Sequence, residues 1–440
     1  MRFAVEELAF FERHVRLRLP FRFGVVTLVE APQAFVRARI RLENGRTAEG
    51  ASAELLAPKW FDKNPALSNE DNFSQLRDSL STARGEYLTS GRDTAFGHSR
   101  PGVGLVENLG PALLDRALLD ALCRGLGLSF YEAVRKNVAG ISFPELNMLR
   151  FLQGLKPAER IAARHTVGLV DPITASDSRV NDGLPETLEE VIARYGHRWF
   201  KLKVGGDVRA DVERLCAIAA VLDRITEPYQ ASLDGNEQYE SVEAVLALWD
   251  AVEAEPRLKR LAASVVFIEQ PIKRQNALSA DISALARKKP VIIDESDDSL
   301  DAFLHARALG YRGVSSKTCK GLYKSLINAA RCRQWGPDYF MSGEDLTIQA
   351  GIALQQDLAL VSLLGLTHVE RNGHHYVNGM AGLPENEQQG FLDGHPDLYE
   401  RSHGAVRVRI EGGMMQMKSL DCPGFASRAM PDWGSMRTMP

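Results

Sequence analysis

Five apolar runs in the second half of the chain end in ionisable residues: WFKLKVGG carries Lys201 and Lys203, ASLDGN Asp234, VFIEQP Glu269, VIIDES Asp294 and GVSSKT Lys317. A lone buried charge is costly, so charges at the same point of successive repeats must compensate one another. Asp234, Glu269 and Asp294 are hard oxygen donors with no His or Cys among them, a set that suits Mg²⁺, with Mn²⁺ as a substitute, and not zinc. One acid alone reads more simply as the N-cap of a following helix; three in succession favour a shared metal. Glu295 follows Asp294 directly and by strand alternation faces the other way, so Asp294 is the expected ligand and Glu295 its fallback.

The lysines supply the other half of the chemistry. Lys201 and Lys203 stand two apart, on one face of a strand. Alone, Lys-x-Lys is usually a solvated face, but this pair lies between Trp199-Phe200 and Gly205-Gly206 on a strand expected to be covered by helices. Lys203, nearer the strand end, is the candidate base, and Lys201 is the cation behind it. To act near neutral pH a lysine must fall from about 10.4 towards ~7–8, and a neighbouring cation or metal lowers it. Lys317 closes a later run, across the expected site from Lys203, and Lys320, three residues on, is its competitor. Lysines on both sides of a metal-bound carboxylate would move a proton at the adjacent carbon.

The elements that must position these groups follow a strand–loop–helix rhythm. Expected strands are HTVGLVD (165–171), WFKLKVG (199–205), YQASLDG (229–235), SVVFIEQ (264–270), PVIIDES (290–296), GVSSKT (313–318), YFMSGED (339–345) and LTHVERN (366–372). Eight such units predict an α/β fold, a (β/α)₈-type TIM barrel with reactive groups at the C-terminal strand ends; a doubly wound sheet is the rival. Before it, residues 1–150 read as an α+β capping domain. Short β-type chain in VRLRLPFRFGVVTLVE leads into AFVRARIRL, a turn at Glu43-Asn44-Gly45, RTAEGASAE, and then a helix through Leu114, Ala117, Leu118, Ala121 and Leu122 that stops at Gly125 or Gly127. Residues 151–390 form the expected barrel, and residues 391–440 a C-terminal segment returning to the cap.

Composition narrows the partners. A net charge of −4 over 440 residues gives no footprint for nucleic acid or an anionic membrane. The five cysteines are scattered without CxxC spacing, so neither a zinc site nor a disulfide framework is expected. No run approaches the ~18 apolar residues of a membrane span, and the charged N-terminus lacks a signal-peptide centre. A cytoplasmic protein acting on a small molecule is expected.

Taken in order, KLKVGG, SLDGN, FIEQP, IIDES and SSKTCKG resemble the enolase superfamily, and within it the muconate-lactonizing enzyme, dipeptide epimerase and o-succinylbenzoate synthase group. YFMSGED carries no histidine, so the His-Asp dyad of the mandelate-racemase group is not matched. The resemblance implies Asp234, Glu269 and Asp294 as Mg²⁺ ligands and Lys203 and Lys317, with Lys201, as the catalytic set. It also implies a homo-oligomer and abstraction of the α-proton of a carboxylate through an enediolate. Racemisation, epimerisation or cycloisomerisation would follow; a lyase (dehydratase or o-succinylbenzoate synthase-like) and a non-catalytic carboxylate-binding protein are the alternatives. Substrate choice is expected from cap loops 21–27 and 54–61, with Phe23 and Trp60, and from Glu344, Asp345 and Glu370 at strand ends seven and eight. His368 is expected to be packed.

Overall fold

A computed structural model describes residues 1–174 and 179–439. The N-terminal sheet is built from β1 (Arg2–Phe23), β2 (Val26–Leu42) and β3 (Thr47–Leu55), antiparallel throughout. Within the expected cap loop 21–27, Gly24 takes a φ of +52° and turns the chain, pairing Phe23 with Val26. The second turn lies where Asn-Gly places it: Gly45 has φ +81° and its N–H donates to the Leu42 carbonyl at 3.0 Å.

Helices α1 (Asn69–Thr89) and α2 (Leu105–Leu126) complete the cap. Ser68 and Asp71 close a capping box at the start of α1. Gly127 ends α2 in the left-handed conformation, whereas Gly125 lies buried inside the helix. The sheet and α2 meet very closely at Gly50, where a Cβ would stand 2.2 Å from the backbone nitrogen of Ala121.

The barrel strands are β4 (Arg160–Val167), β5 (Trp199–Lys203), β6 (Gln230–Asp234), β7 (Val265–Glu269), β8 (Val291–Ile293), β9 (Gly313–Ser316), β10 (Phe340–Gly343) and β11 (His368–Arg371). Neighbours run parallel, and β11 pairs with β4 from His368–Ala162 to Arg371–His165. That closure makes a barrel and removes the doubly wound alternative. All eight strands overlap their expected segments; the first starts at Arg160, earlier than the expected 165–171, and ends at Val167. Beyond Val167 the chain leaves the barrel: Asp171 accepts from the Gly168 N–H at 2.8 Å, and the Leu169 N–H donates to the Arg22 carbonyl of β1.

The C-terminal segment serves both parts. Strand β12 (Met414–Gln416) adds antiparallel to β4, after a turn at Gly412-Gly413, and β13 (Arg437–Thr438) pairs with β1 at Phe11 and Glu12. Among the described residues no helix is long and apolar enough to cross a membrane.

Candidate active site

Strand alternation sends Lys201, Lys203, Asp234 and Glu269 into the barrel mouth from β5, β6 and β7. Lys201 is fully enclosed and holds four carboxylates within ion-pair distance: Glu344 at 2.7 Å, Glu269 at 2.8 Å, Asp234 at 2.9 Å and Glu370 at 3.1 Å. Burial opposes its charge, but these carboxylates outweigh burial and hold Lys201 well above the usual lysine range. Its positive charge, expected to act on Lys203, is instead spread over four anions. Glu344 and Glu370, expected to choose the substrate, both pair with the Lys201 ammonium.

The two flanking lysines line one cavity. Lys203 Nζ donates to Asp234 Oδ2 at 2.5 Å and Lys317 Nζ to Asp294 Oδ2 at 2.6 Å. Phe21, Phe23 and Trp60 of the cap line the same space, with Trp60 facing the Lys317 ammonium at 4.3 Å and Phe21 facing Lys203 at 5.8 Å. Glu370 and Asp345 reach the cavity wall; Glu344 lies a layer below, clamped by Arg164 and Lys201. Lys320 is turned behind the wall by the 3₁₀ turn Thr318–Lys320, donating to Ser315 Oγ at 2.7 Å and pairing with Asp297 at 3.0 Å. Lys317 is also held above the ordinary lysine range, against its burial, by Asp294.

The three acids differ in readiness for a cation. Lys201 approaches Glu269 off the line of a hydrogen bond, so both Glu269 oxygens are buried with no hydrogen-bond partner among the described residues. Burial first, then the Asp234 and Glu344 carboxylates, push the Glu269 acid well above its usual range. Such a site carries surplus negative charge, and a hard divalent cation would relieve it. Asp294, by contrast, gives its oxygens to Lys317, Ser315 and Lys320, and the charges of Lys317, Lys320 and Lys201 hold it below the ordinary range despite burial. The donor set fits Mg²⁺, with Asp294 shared between cation and lysines. Glu295 faces away, its Oε1 3.3 Å from Lys63 Nζ and Asn236 Nδ2.

Several residues of the site were not expected from the sequence. Arg164 enters the barrel from β4 and pairs with Glu344, while Thr166 donates to Glu370 at 2.7 Å; the expected first strand, starting at residue 165, left Arg164 outside it. Gln270, in the left-handed region at φ +31°, accepts from the Asp294 and Ser296 N–H groups at 2.9 and 3.0 Å and so orients the Asp294 turn. Asn236 and Glu237 also adopt positive φ, a conformation costing about 1 kcal/mol or more for a residue with a side chain. Lys63 and Arg274 secure that bend: both pair with Glu237, and Arg274 donates to the Trp60 and Phe61 carbonyls at 2.9 and 2.8 Å. His368 is packed as expected, stacked on Trp199 with ring centres 3.8 Å apart.

Solved structures with the same architecture carry enolase-superfamily descriptions. A dipeptide epimerase from Cytophaga hutchinsonii, complexed with Mg and D-Ala-L-Val, aligns at 15% identity over 100% of this chain and 99% of its own, with a TM-score of 0.63. An N-succinyl Arg/Lys racemase from Bacillus cereus ATCC 14579 aligns at 16% identity over 98% and 96%, TM-score 0.63. A superfamily member from Roseovarius nubinhibens ISM complexed with magnesium aligns at 18% identity over 100% and 99%, TM-score 0.62. Among curated proteins none matches the chain in sequence. Residues 183–426, more than half of the 440, match the family described as enolase C-terminal domain-like, and the chain belongs to the enolase superfamily.

Proposed function

We propose that this enzyme abstracts the α-proton of a small carboxylate and returns a proton to the same carbon from the other side, as a racemase or epimerase. The observation that carries this reading is that Lys203 and Lys317, from opposite parts of the barrel, line one cavity and each pair with an expected metal acid. Asp234, Glu269 and Asp294 would hold Mg²⁺, which stabilises the negative charge that develops on a substrate carboxylate as the neighbouring C–H is broken.

Lys203 takes the proton on one side, and Lys317, resting ionised, delivers one on the other; the roles exchange in the reverse direction. Lys201 fixes Asp234 and Glu269 in place and balances Glu344 and Glu370. Phe21, Phe23 and Trp60 exclude water and accept an apolar or amide-bearing substituent on the substrate carbon. The epimerase and racemase descriptions of the structural neighbours, on dipeptides and N-succinyl amino acids, support N-acylated amino acids as the first substrates to test.

Exchange of solvent deuterium into such carboxylates, followed by NMR and chiral chromatography with Mg²⁺ present, tests this. Lys203→Ala and Lys317→Ala are each expected to abolish exchange from one face and to lower turnover by roughly 10²–10⁴-fold. Normal exchange in both variants on a turned-over substrate would refute the two-base assignment. Loss of a leaving group would place the enzyme among lyases, and Mg²⁺-dependent binding without any exchange would make it a binding protein.

A further inference from the structure

Histidines gather on the outer side of the barrel wall, apart from the lysines. His165 lies on β4 between Arg164 and Thr166; those two reach Glu344 and Glu370 inside the barrel, so His165 projects outward. His197 precedes β5, and His374 lies in the turn Gly373–Tyr376 after β11. One ring nitrogen from each comes within 4.8 Å of the others, and the ring centres stand 5.2 to 5.4 Å apart.

The state of these rings is unusual for packing alone. His165 and His197 are 2% and 0% exposed. His197 Nδ1 lies 2.9 Å from the Ala163 carbonyl and donates to it, which leaves a lone pair on Nε2. That Nε2, Nδ1 of His165 and both ring nitrogens of His374 are buried without a hydrogen-bond partner among the described residues. Burial, reinforced by the neighbouring rings at His165 and His374, holds all three imidazoles below the usual histidine range, so they are neutral and able to ligate.

We propose that His165, His197 and His374 form a second metal site, for Zn²⁺ or a similar borderline divalent transition ion, which ties the start of β5 and the turn after β11 to β4. An all-imidazole set selects such ions and not Mg²⁺, so the site is chemically distinct from the carboxylates of the barrel mouth. The carbonyl held by His197 Nδ1 is the outer-shell partner that orients a ligating imidazole. Tetrahedral ligation at 2.0–2.1 Å brings nitrogens to about 3.3 Å from one another, so the rings turn inward on binding. The fourth position falls to water or to His375, whose ring centre lies 5.0 Å from that of His165. The same turn carries Tyr376, 4.3 Å from the Phe21 ring, and the His375 carbonyl that accepts from Arg18 at 2.9 Å. The ion would therefore steady the contact between barrel and cap, independently of the reaction proposed above.

The test uses full-length protein stripped by a chelator, returned to excess Mg²⁺ to fill the carboxylate site, and titrated with Zn²⁺ or with Co²⁺. One equivalent of Zn²⁺ per chain should bind, and Co²⁺ should give the intense visible bands of low-coordinate nitrogen ligation. His165→Gln and His197→Gln should each weaken Zn²⁺ binding by at least ~100-fold, beyond the 10–100-fold of an outer-shell loss; Glu269→Gln should leave it unchanged. No Zn²⁺ uptake in Mg²⁺, or uptake lost in Glu269→Gln and kept in the histidine variants, overturns the site. Should the histidine variants misfold, the Co²⁺ spectrum of the unaltered protein decides, and only weak octahedral bands would overturn the site.

Discussion

Lys317 and Lys320 differ by one turn of chain and by almost everything chemical. Lys317 faces the cavity and Trp60; Lys320 faces Ser315, Asp297 and the back of Asp294. Lys317→Ala is therefore expected to lower turnover by roughly 10²–10⁴-fold with little change in fold. Lys320→Ala should instead leave buried Asp297 short of a cation and destabilise by about 3 kcal/mol, the low end for breaking a buried pair because Lys324 still reaches Asp297. Steady-state kinetics alongside denaturant unfolding separates the two; a folded, stable Lys320→Ala without exchange would exchange their roles. The sequence left both candidates open because SSKTCKG has no apolar alternation to say where the strand ends. The three acids stood out together, since Asp234, Glu269 and Asp294 each close an apolar run.

At the scale of elements, β3 and α2 set the cap, and their contact has no slack. A methyl at Gly50 would press on the backbone of Ala117 and Ala121, which no rotamer change relieves. Gly50→Ala is expected to cost about 1–3 kcal/mol, the usual range for overpacking, read as a lower midpoint in urea. Helix α2 also carries buried Asp115, which accepts from Ser99 and Tyr87 hydroxyls at 2.6 and 2.7 Å. Burial, only partly offset by those hydroxyls, pushes its acid up to about 7. The folded state thus keeps a proton that the unfolded chain releases near 3.9. Asp115 contributes stability that is present below about pH 4 and is lost as pH rises towards 7. Melting temperatures between pH 4 and 8 should show that falling contribution, and Asp115→Asn should flatten it; an unchanged slope would mean Asp115 is ionised in the fold. Elements were read best where turn chemistry is explicit, as at Asn44-Gly45. They were read less well at β4, whose apolar pattern runs on past Gly168 into chain that leaves the barrel.

Across the whole molecule, cap and barrel communicate through Arg274 and Lys63, and neither could be read from the sequence, because both act from loops on partners far away in the chain. Arg274 holds Glu237 with one edge of its guanidinium and the carbonyls of Trp60 and Phe61 with the others, so one side chain fixes the bend beside Asp234 and the aromatic wall over Lys317. Its removal leaves Glu237, buried at 3% side-chain exposure, with Lys63 alone and leaves two carbonyls without their donor. Arg274→Ala is expected to cost about 3 kcal/mol, near the low end for a broken buried pair since Lys63 stays in place. The larger effect should be local: amide exchange over residues 56–62 accelerates, and Trp60 no longer walls the cavity. If the cap loop selects the substrate, KM rises by more than kcat falls, because the lysines and metal acids keep their own contacts. Hydrogen–deuterium exchange read beside the two kinetic constants decides it. A loosened loop with unchanged KM would show that Trp60 covers the site without choosing what enters it.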